Sequence, residues 1–266
     1  MPELGPVARL LPVRYPRDQA LVEGRLVRRY KRFIADVELA GGEVVTAHCV
    51  NTGAMEGLVR PGARVWLSRA ENPARKLAWT WELVESGGQI LGANTALPNR
   101  LVRRLLDERR LPWLPGYERV EAERPLGERS RVDFVLARGG PGRRRRTLVE
   151  VKNCHLLYPD RRAYFPDAVS ERAAHHLREL ARARSTTTRC HVLFVCQVPG
   201  ARSLRPSDAH DPTFATAARE ARGAGVGFSA LEVTHTPEEI QVVRRLPVDL
   251  KPYRVERVAR WRAAGR

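Results

Sequence analysis

The sequence predicts a mixed α/β protein in two parts: an OB-like β-barrel over residues 1–92, then a mixed sheet flanked by helices over residues 93–266. Three observations carry this expectation. Five short strand-like runs crowd into about seventy residues near the N-terminus, the density of a small barrel. After residue 92 the pattern becomes helix, three strands, helix, strand, helix, strand, which gives a sheet covered by helices. Within that second part, Asp133 and Glu150 interrupt otherwise apolar strands.

In the first part, residues 22–36 (VEGRLVRRYKRFIAD) alternate apolar and basic side chains and read as one strand. Ala40-Gly41-Gly42 marks a turn, and EVVTAHCV, ARVWLSRA, KLAWTWELVES and QILGANT read as four more strands. Arg28, Arg29, Lys31, Arg32, Arg75 and Lys76 stud one side of this barrel as candidate nucleic-acid contacts. Tyr30, Phe33, Trp79 and Trp81 either stack on bases or pack in the core. Asn51-Thr52-Gly53-Ala54-Met55 reads as a tight loop, either a plain turn or a phosphate cradle of backbone N–H groups.

In the second part, LPNRLVRRLLDERR reads as an amphipathic helix with Leu101, Leu105 and Leu106 on one stripe. YERVEAE, SRVDFVLA and TLVEVKN follow as three strands. DAVSERAAHHLRELARAR reads as a long helix with Asp167 as its N-cap and Pro166 at its boundary. CHVLFVCQ is a buried strand, DPTFATAAREARGAG a helix with a glycine stop, and VGFSALEV a further strand. The basic tail after Pro252 is frayed or helical.

Alternation sorts the side chains of SRVDFVLA and TLVEVKN. Val132, Phe134 and Leu136 share one face and Asp133 takes the other; Val149 and Val151 share one face, Glu150 and Lys152 the other. A hairpin turning near Gly140-Pro141-Gly142 sets Asp133 almost opposite Glu150. Like charges so placed repel, and a divalent cation between them relieves the repulsion. Hard cations such as Mg²⁺ and Mn²⁺ take oxygen ligands. An ordinary hairpin with a polar outer face fits the same pattern. Lys152 is one of only four lysines, with Lys31, Lys76 and Lys251, among 47 basic residues. A compact ammonium beside two carboxylates suits a role that a guanidinium does not fill.

Composition bounds the partners. Lys and Arg exceed Asp and Glu by 47 to 30, a formal net charge of +17. Such a field attracts polyanions, nucleic acid first among them, although an arginine-biased proteome gives the same balance. No stretch approaches the roughly 20 apolar residues of a membrane span, and the N-terminus lacks the pattern of a secretory signal. Cys49, Cys154, Cys190 and Cys196 show neither zinc spacing nor a disulfide framework, so reduced thiols and a cytoplasmic setting are expected.

Helix, three strands, helix, strand, with an acid on the second strand and E-x-K on the third, resembles the PD-(D/E)xK nuclease fold; the segment here is SRVD, without the leading proline. More specifically, RRYKRFIADVEL, HCVNTGAMEGLVRPGARVW, TWELVE, NTALPNRLV, GERSRVDF, EVKN and YFPDAVSERAAHHLREL are similar to the sugar fermentation stimulation protein A family. The resemblance implies an OB-like N-terminal domain, a nuclease-like C-terminal domain, DNA binding, and an association with regulation of sugar metabolism. It matches Asp133, Glu150 and Lys152 to the catalytic triad, and Asp167, Arg172 and His176 to a signature helix. Where relatives often carry glutamine and lysine, this chain has Ala174 and His175. Asp133, Glu150 and the Val151 carbonyl are then the candidate ligands for Mg²⁺ or Mn²⁺. Arg172 and His176, four apart on one helix face, either meet a phosphate or pack and pair within the protein. Glu123 is a further acid, or a solvated strand edge. Two functions fit: a metal-dependent nuclease, or a non-cleaving DNA-binding regulator on the same scaffold. The sequence sets no oligomeric state.

Overall fold

The structure is a computed structural model and describes residues 11–127, 130–140 and 145–263. The first strand, β1 (Val13–Pro16), lies within the stretch read as barrel but does not join it. The barrel is built from β2 (Val22–Tyr30), β3 (Ile34–Leu39), β4 (Val44–His48), β5 (Arg64–Arg69), β6 (Trp79–Ser86) and β7 (Gln89–Gly92). Strand order is β4-β3-β2-β5-β6-β7, and a β4–β6 pairing closes five of them into a ring. Residues 22–36 are two strands rather than one. Lys31 and Arg32 turn the chain with φ of 49° and 65°, a conformation usually signalled by Gly, Asn or Asp, so nothing in the composition marked it. Gly24 is required where β2 crosses β3: a Cβ there would lie 2.5 Å from Val37.

Next come α1 (Leu97–Asp107), β8 (Arg119–Leu126), β9 (Ser130–Arg138), β10 (Arg145–Cys154), β11 (Leu156–Leu157) and β12 (Arg162–Phe165). After them run α2 (Glu171–Ala183), β13 (Thr188–Cys196), β14 (Ser203–Pro206), α3 (Pro212–Gly223), β15 (Gly227–His235), β16 (Glu239–Leu246) and α4 (Glu256–Ala263). The main sheet is seven-stranded, ordered β1-β16-β15-β13-β10-β9-β8. β10, β13 and β15 run parallel at its centre, and antiparallel strands finish both sides. β11, β12 and β14 form a small separate sheet, partly roofed by Val258 of α4.

The sheet is covered on both faces, which explains why β13 reads as a continuous apolar run. Leu101, Val102, Leu105 and Leu106 of α1 pack on Phe134, Leu136, Val149, Val151, Leu193 and Val195. Ala173, Leu177 and Leu180 of α2, with Phe214 and Ala217 of α3, pack on Leu148, Val192 and Phe194 from the other side. Each large apolar side chain taken fully from water contributes roughly 1.5–3 kcal/mol. Trp81, Leu26, Val37 and Val65 form the barrel's own core.

Asp167 is not the N-cap of α2. Ser170 takes that place, its Oγ accepting from Ala173 N at 3.2 Å. Asp167 instead accepts from Met55 N at 2.9 Å and sits beside His155, binding the barrel's 51–55 loop to the second domain. In α3, Asp211 caps through Phe214 N at 2.8 Å, and Pro212 opens the helix. The four cysteines are unpaired and buried. Among the described residues no helix is long and apolar enough to cross a membrane.

Candidate active site

β9 and β10 pair with Val149 opposite Phe134 and Leu148 opposite Val135. One more step in this register faces Glu150 with Asp133, but the ladder ends at Phe134 and Val149. The tip of the hairpin lies largely outside the described residues. On its other side β9 pairs Ala122 with Phe134 and Arg124 with Val132, so Asp133 lies opposite Glu123, which is exposed at a φ of 52°. Alternation breaks at this irregularity. Phe134 and Leu136 pack under α1, whereas Val132 packs on the α2 side; the three do not share one face.

Past the end of the ladder Asp133 takes the place of a backbone partner. Its Oδ2 accepts from Val151 N at 2.7 Å, and its Oδ1 from Nδ2 of Asn99 in the first turn of α1 at 2.7 Å. Glu150 is 3 % exposed. Its Oε1 accepts from Lys152 Nζ at 2.6 Å and contacts His176 Nδ1 at 2.9 Å, while Oε2 is buried with no hydrogen-bond partner. The two helix layers thus each reach through to one carboxylate, α1 to Asp133 and α2 to Glu150.

The electrostatics follow from burial. Desolvation, then the charge of Glu150, push the Asp133 carboxyl up to about 6, against the pull of Val151 N–H, Lys152 and Asn99. Burial also raises Glu150, but the His176 hydrogen bond and the Lys152 ammonium outweigh it, and Glu150 lies below its ordinary value. One carboxylate is therefore firmly ionised and its neighbour resists ionisation. A pair so arranged, with an ammonium beside it, has room for more positive charge.

The other candidates divide. His176 is buried against Glu150, whereas Arg172 is exposed and has no partner among the described residues. Lys31 and Lys76 are likewise exposed and unpartnered. Arg29 is spent on the carbonyls of Arg32, Asn51 and Gly53, Arg32 on that of Thr52, and Arg28 on Asp36. Arg75 contacts His48. The 51–55 loop is a plain structural turn in its hydrogen bonds: Gly53 N donates to Asn51 Oδ1 and Met55 N to Asp167. Trp81 is fully buried, Trp79 and Tyr30 lie under arginines, and Phe33 is 46 % exposed. Sequence reasoning misses Asn99, although NTALPNRLV holds it. Among the described residues no cluster of three or more His, Cys, Asp or Glu side chains is set to hold a metal.

Known proteins align with this architecture. Residues 27–92 match the SfsA N-terminal OB domain, and residues 96–239 match the sugar fermentation stimulation protein RE domain. A sugar fermentation stimulation protein homolog of Geobacter metallireducens is 48 % identical over 231 residues, covering 86 % of this chain and 97 % of the relative. A homolog from Methylobacterium nodulans is 48 % identical over 240 residues, covering 89 % and 99 %. The structure of Pyrococcus furiosus SfsA in complex with Ca²⁺ superposes with a TM-score of 0.77 at 24 % identity, covering 91 % of this chain and all of that one. With a barrel and a helix-covered sheet each matched in order along the chain, this protein belongs to the sugar fermentation stimulation protein family.

Proposed function

We propose that this chain binds DNA and hydrolyses its phosphodiester bonds with a divalent cation, Mg²⁺ or Mn²⁺. The observation that carries this is the buried, unpartnered Oε2 of Glu150 beside a carboxyl that burial, and then the Glu150 charge, keep from ionising. Buried polar atoms without partners are rare and need an explanation, and a dication relieves both costs. Asp133 and Glu150 would hold it. Val151 turns its N–H toward Asp133, and a strand residue presents N–H and C=O on the same edge, so the Val151 carbonyl is the third oxygen. The Pyrococcus furiosus relative is a complex with Ca²⁺, which supports a divalent ion on this fold.

Such a cation supplies charge neutralisation at the phosphate and a more acidic attacking water. The protein does the rest. Asn99 and Val151 N–H fix the Asp133 carboxylate, and His176 fixes Glu150, so neither must reorganise during reaction. Lys152, anchored on Glu150, directs its remaining N–H donors to a phosphate oxygen. Arg172, free one turn before His176, offers a second contact to the nucleic acid backbone. The residues at 1–92 and 93–266 would divide the work into binding and chemistry.

The test incubates the protein with single- and double-stranded DNA and RNA in Mg²⁺, Mn²⁺ or chelator, alongside Lys152→Ala and Asp133→Asn. Cleavage that needs the metal and falls by roughly 10²-fold or more in both variants is expected. Cleavage unchanged in both would refute the site. Binding without hydrolysis in any metal would leave a DNA-binding regulator in its place.

A further inference from the structure

A second concavity, of about 870 Å³, opens between the barrel and α1. Its floor is polar and buried. Glu82 on β6 accepts from Ser68 Oγ at 2.7 Å and from Asn94 Nδ2 at 2.9 Å, and Thr80 lies beside it. Its rim is cationic. Arg100 is exposed without a partner among the described residues, and Arg75 contacts His48. Arg17, Arg69 and Arg104 complete five guanidiniums, against the carboxylates of Asp18, Glu71 and Glu82.

This charge layout selects a kind of ligand. A bare anion is repelled by the carboxylate on the floor, and a cation by the rim. A nucleotide answers both, with a phosphate for the arginines and a base whose amino group donates to a carboxylate. The volume suits a small organic group. A paired base has its amino group engaged by its partner and is held in a duplex too wide to enter.

The cleft and the acid pair both touch the first turn of α1. Thr95 Oγ1 donates to Val50 O at 3.2 Å, and Val50, Asn94 and Ala96 edge the cleft. Arg100 directly follows Asn99, which holds Asp133. A strand crossing the first turn of α1 meets both places. We propose that this cleft binds an unpaired nucleotide of a nucleic-acid strand, its phosphate on Arg75 and Arg100 and its base on Glu82 and Thr80. The inference deepens the hydrolase reading, since it names an unpaired strand beside the scissile phosphate.

The test is binding, read without cleavage. Fluorescence anisotropy in chelator compares a labelled single-stranded DNA octamer, a blunt hairpin duplex, and competition by free deoxynucleoside monophosphates. The full chain is used, with Arg75→Ala/Arg100→Ala, and with Arg189→Ala as a control at the opposite end of the sheet. All three arginines are exposed, and melting curves verify folding. The single strand is expected to bind more tightly than the duplex, and the double variant to lose roughly tenfold or more while Arg189→Ala stays within about twofold of the parent. Equal binding of the duplex, a double variant no weaker than Arg189→Ala, or monophosphates that compete as well as the strand would each overturn the proposal. Failure of hydrolysis in every metal would remove the hydrolase reading and leave this binding result standing.

Discussion

Asp133 carries a load that a single substitution removes. In the folded protein without a cation its carboxyl is raised from 3.8 to about 6, chiefly by burial and then by Glu150. At pH 4–6 the folded chain therefore keeps a proton that the unfolded chain has released. The stability contributed by this group is complete below pH 3.8 and is lost as pH rises to 6. A shift of about 2 pH units corresponds to at most about 3 kcal/mol, less where solvent reaches the half-buried carboxylate. Asp133→Asn abolishes the titration at little structural cost. Its Oδ1 still accepts from Val151 N–H, and Asn99 turns its amide to accept from the new NH₂. In chelator at pH 7.5 the variant should melt up to about 6–10 °C above the parent, and below pH 4 the two should converge. Added Mn²⁺ should raise the parent and not the variant, reversing the order. Thermal denaturation followed by circular dichroism from pH 4 to 8 measures this. Equal melting temperatures at pH 7.5 in chelator, or a variant destabilised at every pH, would refute the electrostatic account, and a parent indifferent to Mn²⁺ would refute the cation.

Three further outcomes are expected. His176→Ala removes the contact that orients Glu150 and should weaken Mn²⁺ binding by roughly 10–100-fold, measured by calorimetry, with partial recovery in His176→Gln, which can donate to the same oxygen. His191 and His235 are held down to about 4 and about 3, first by burial and then by neighbouring arginines. Their neutral forms stabilise the fold above pH 6.5, so stability should fall below it by up to about 1.4 kcal/mol per pH unit for each; in Asp133→Asn, which lacks the opposing carboxyl titration, an acid melt that is flat from pH 6.5 to 5 would contradict this. Gly92→Ala places a Cβ 2.1 Å from Gln197 Oε1 and 2.9 Å from His235 Nε2. It should destabilise by about 1–3 kcal/mol, read by urea denaturation.

What was legible in the sequence, and what was not, divides on a physical line. Amphipathic periodicity gave α1, which buries one stripe against one sheet face, while a proline boundary and a glycine stop pointed to α2 and α3. The continuous apolar run of β13 gave a strand buried on both sides. A turn placed near Gly140-Pro141-Gly142 gave the β9–β10 register as far as Phe134 opposite Val149, beyond which a long loop and a broken alternation no longer fix it. Elements whose partners are remote in sequence stayed hidden. β1 is four residues long and is held by β16, more than two hundred positions away; alone it has no pattern. The Lys31–Arg32 turn uses residues that carry no turn signal. Asp167 has the composition of a helix cap, but a loop of the barrel takes it first.

The site itself shows why strand parity is a weak guide to function. Counting alternate residues put Asp133, Glu150 and Lys152 on one face of a regular hairpin. Glu150 and Lys152 do share a face, and Lys152 Nζ lies on Glu150 Oε1. Asp133 arrives differently, at the break where β9 leaves β10 and its neighbours Val132 and Phe134 pack on opposite sides. A regular ladder would have occupied the edge of Val151 with a backbone partner. The break frees that edge, and Val151 gives its N–H to Asp133 Oδ2 instead. An irregular strand thus does what an ideal one does not: it lets a carboxylate take a main-chain N–H of the neighbouring strand. Lys152 already answers Glu150 Oε1, and the buried Oε2, without a hydrogen-bond partner, is the atom that the proposed cation would satisfy.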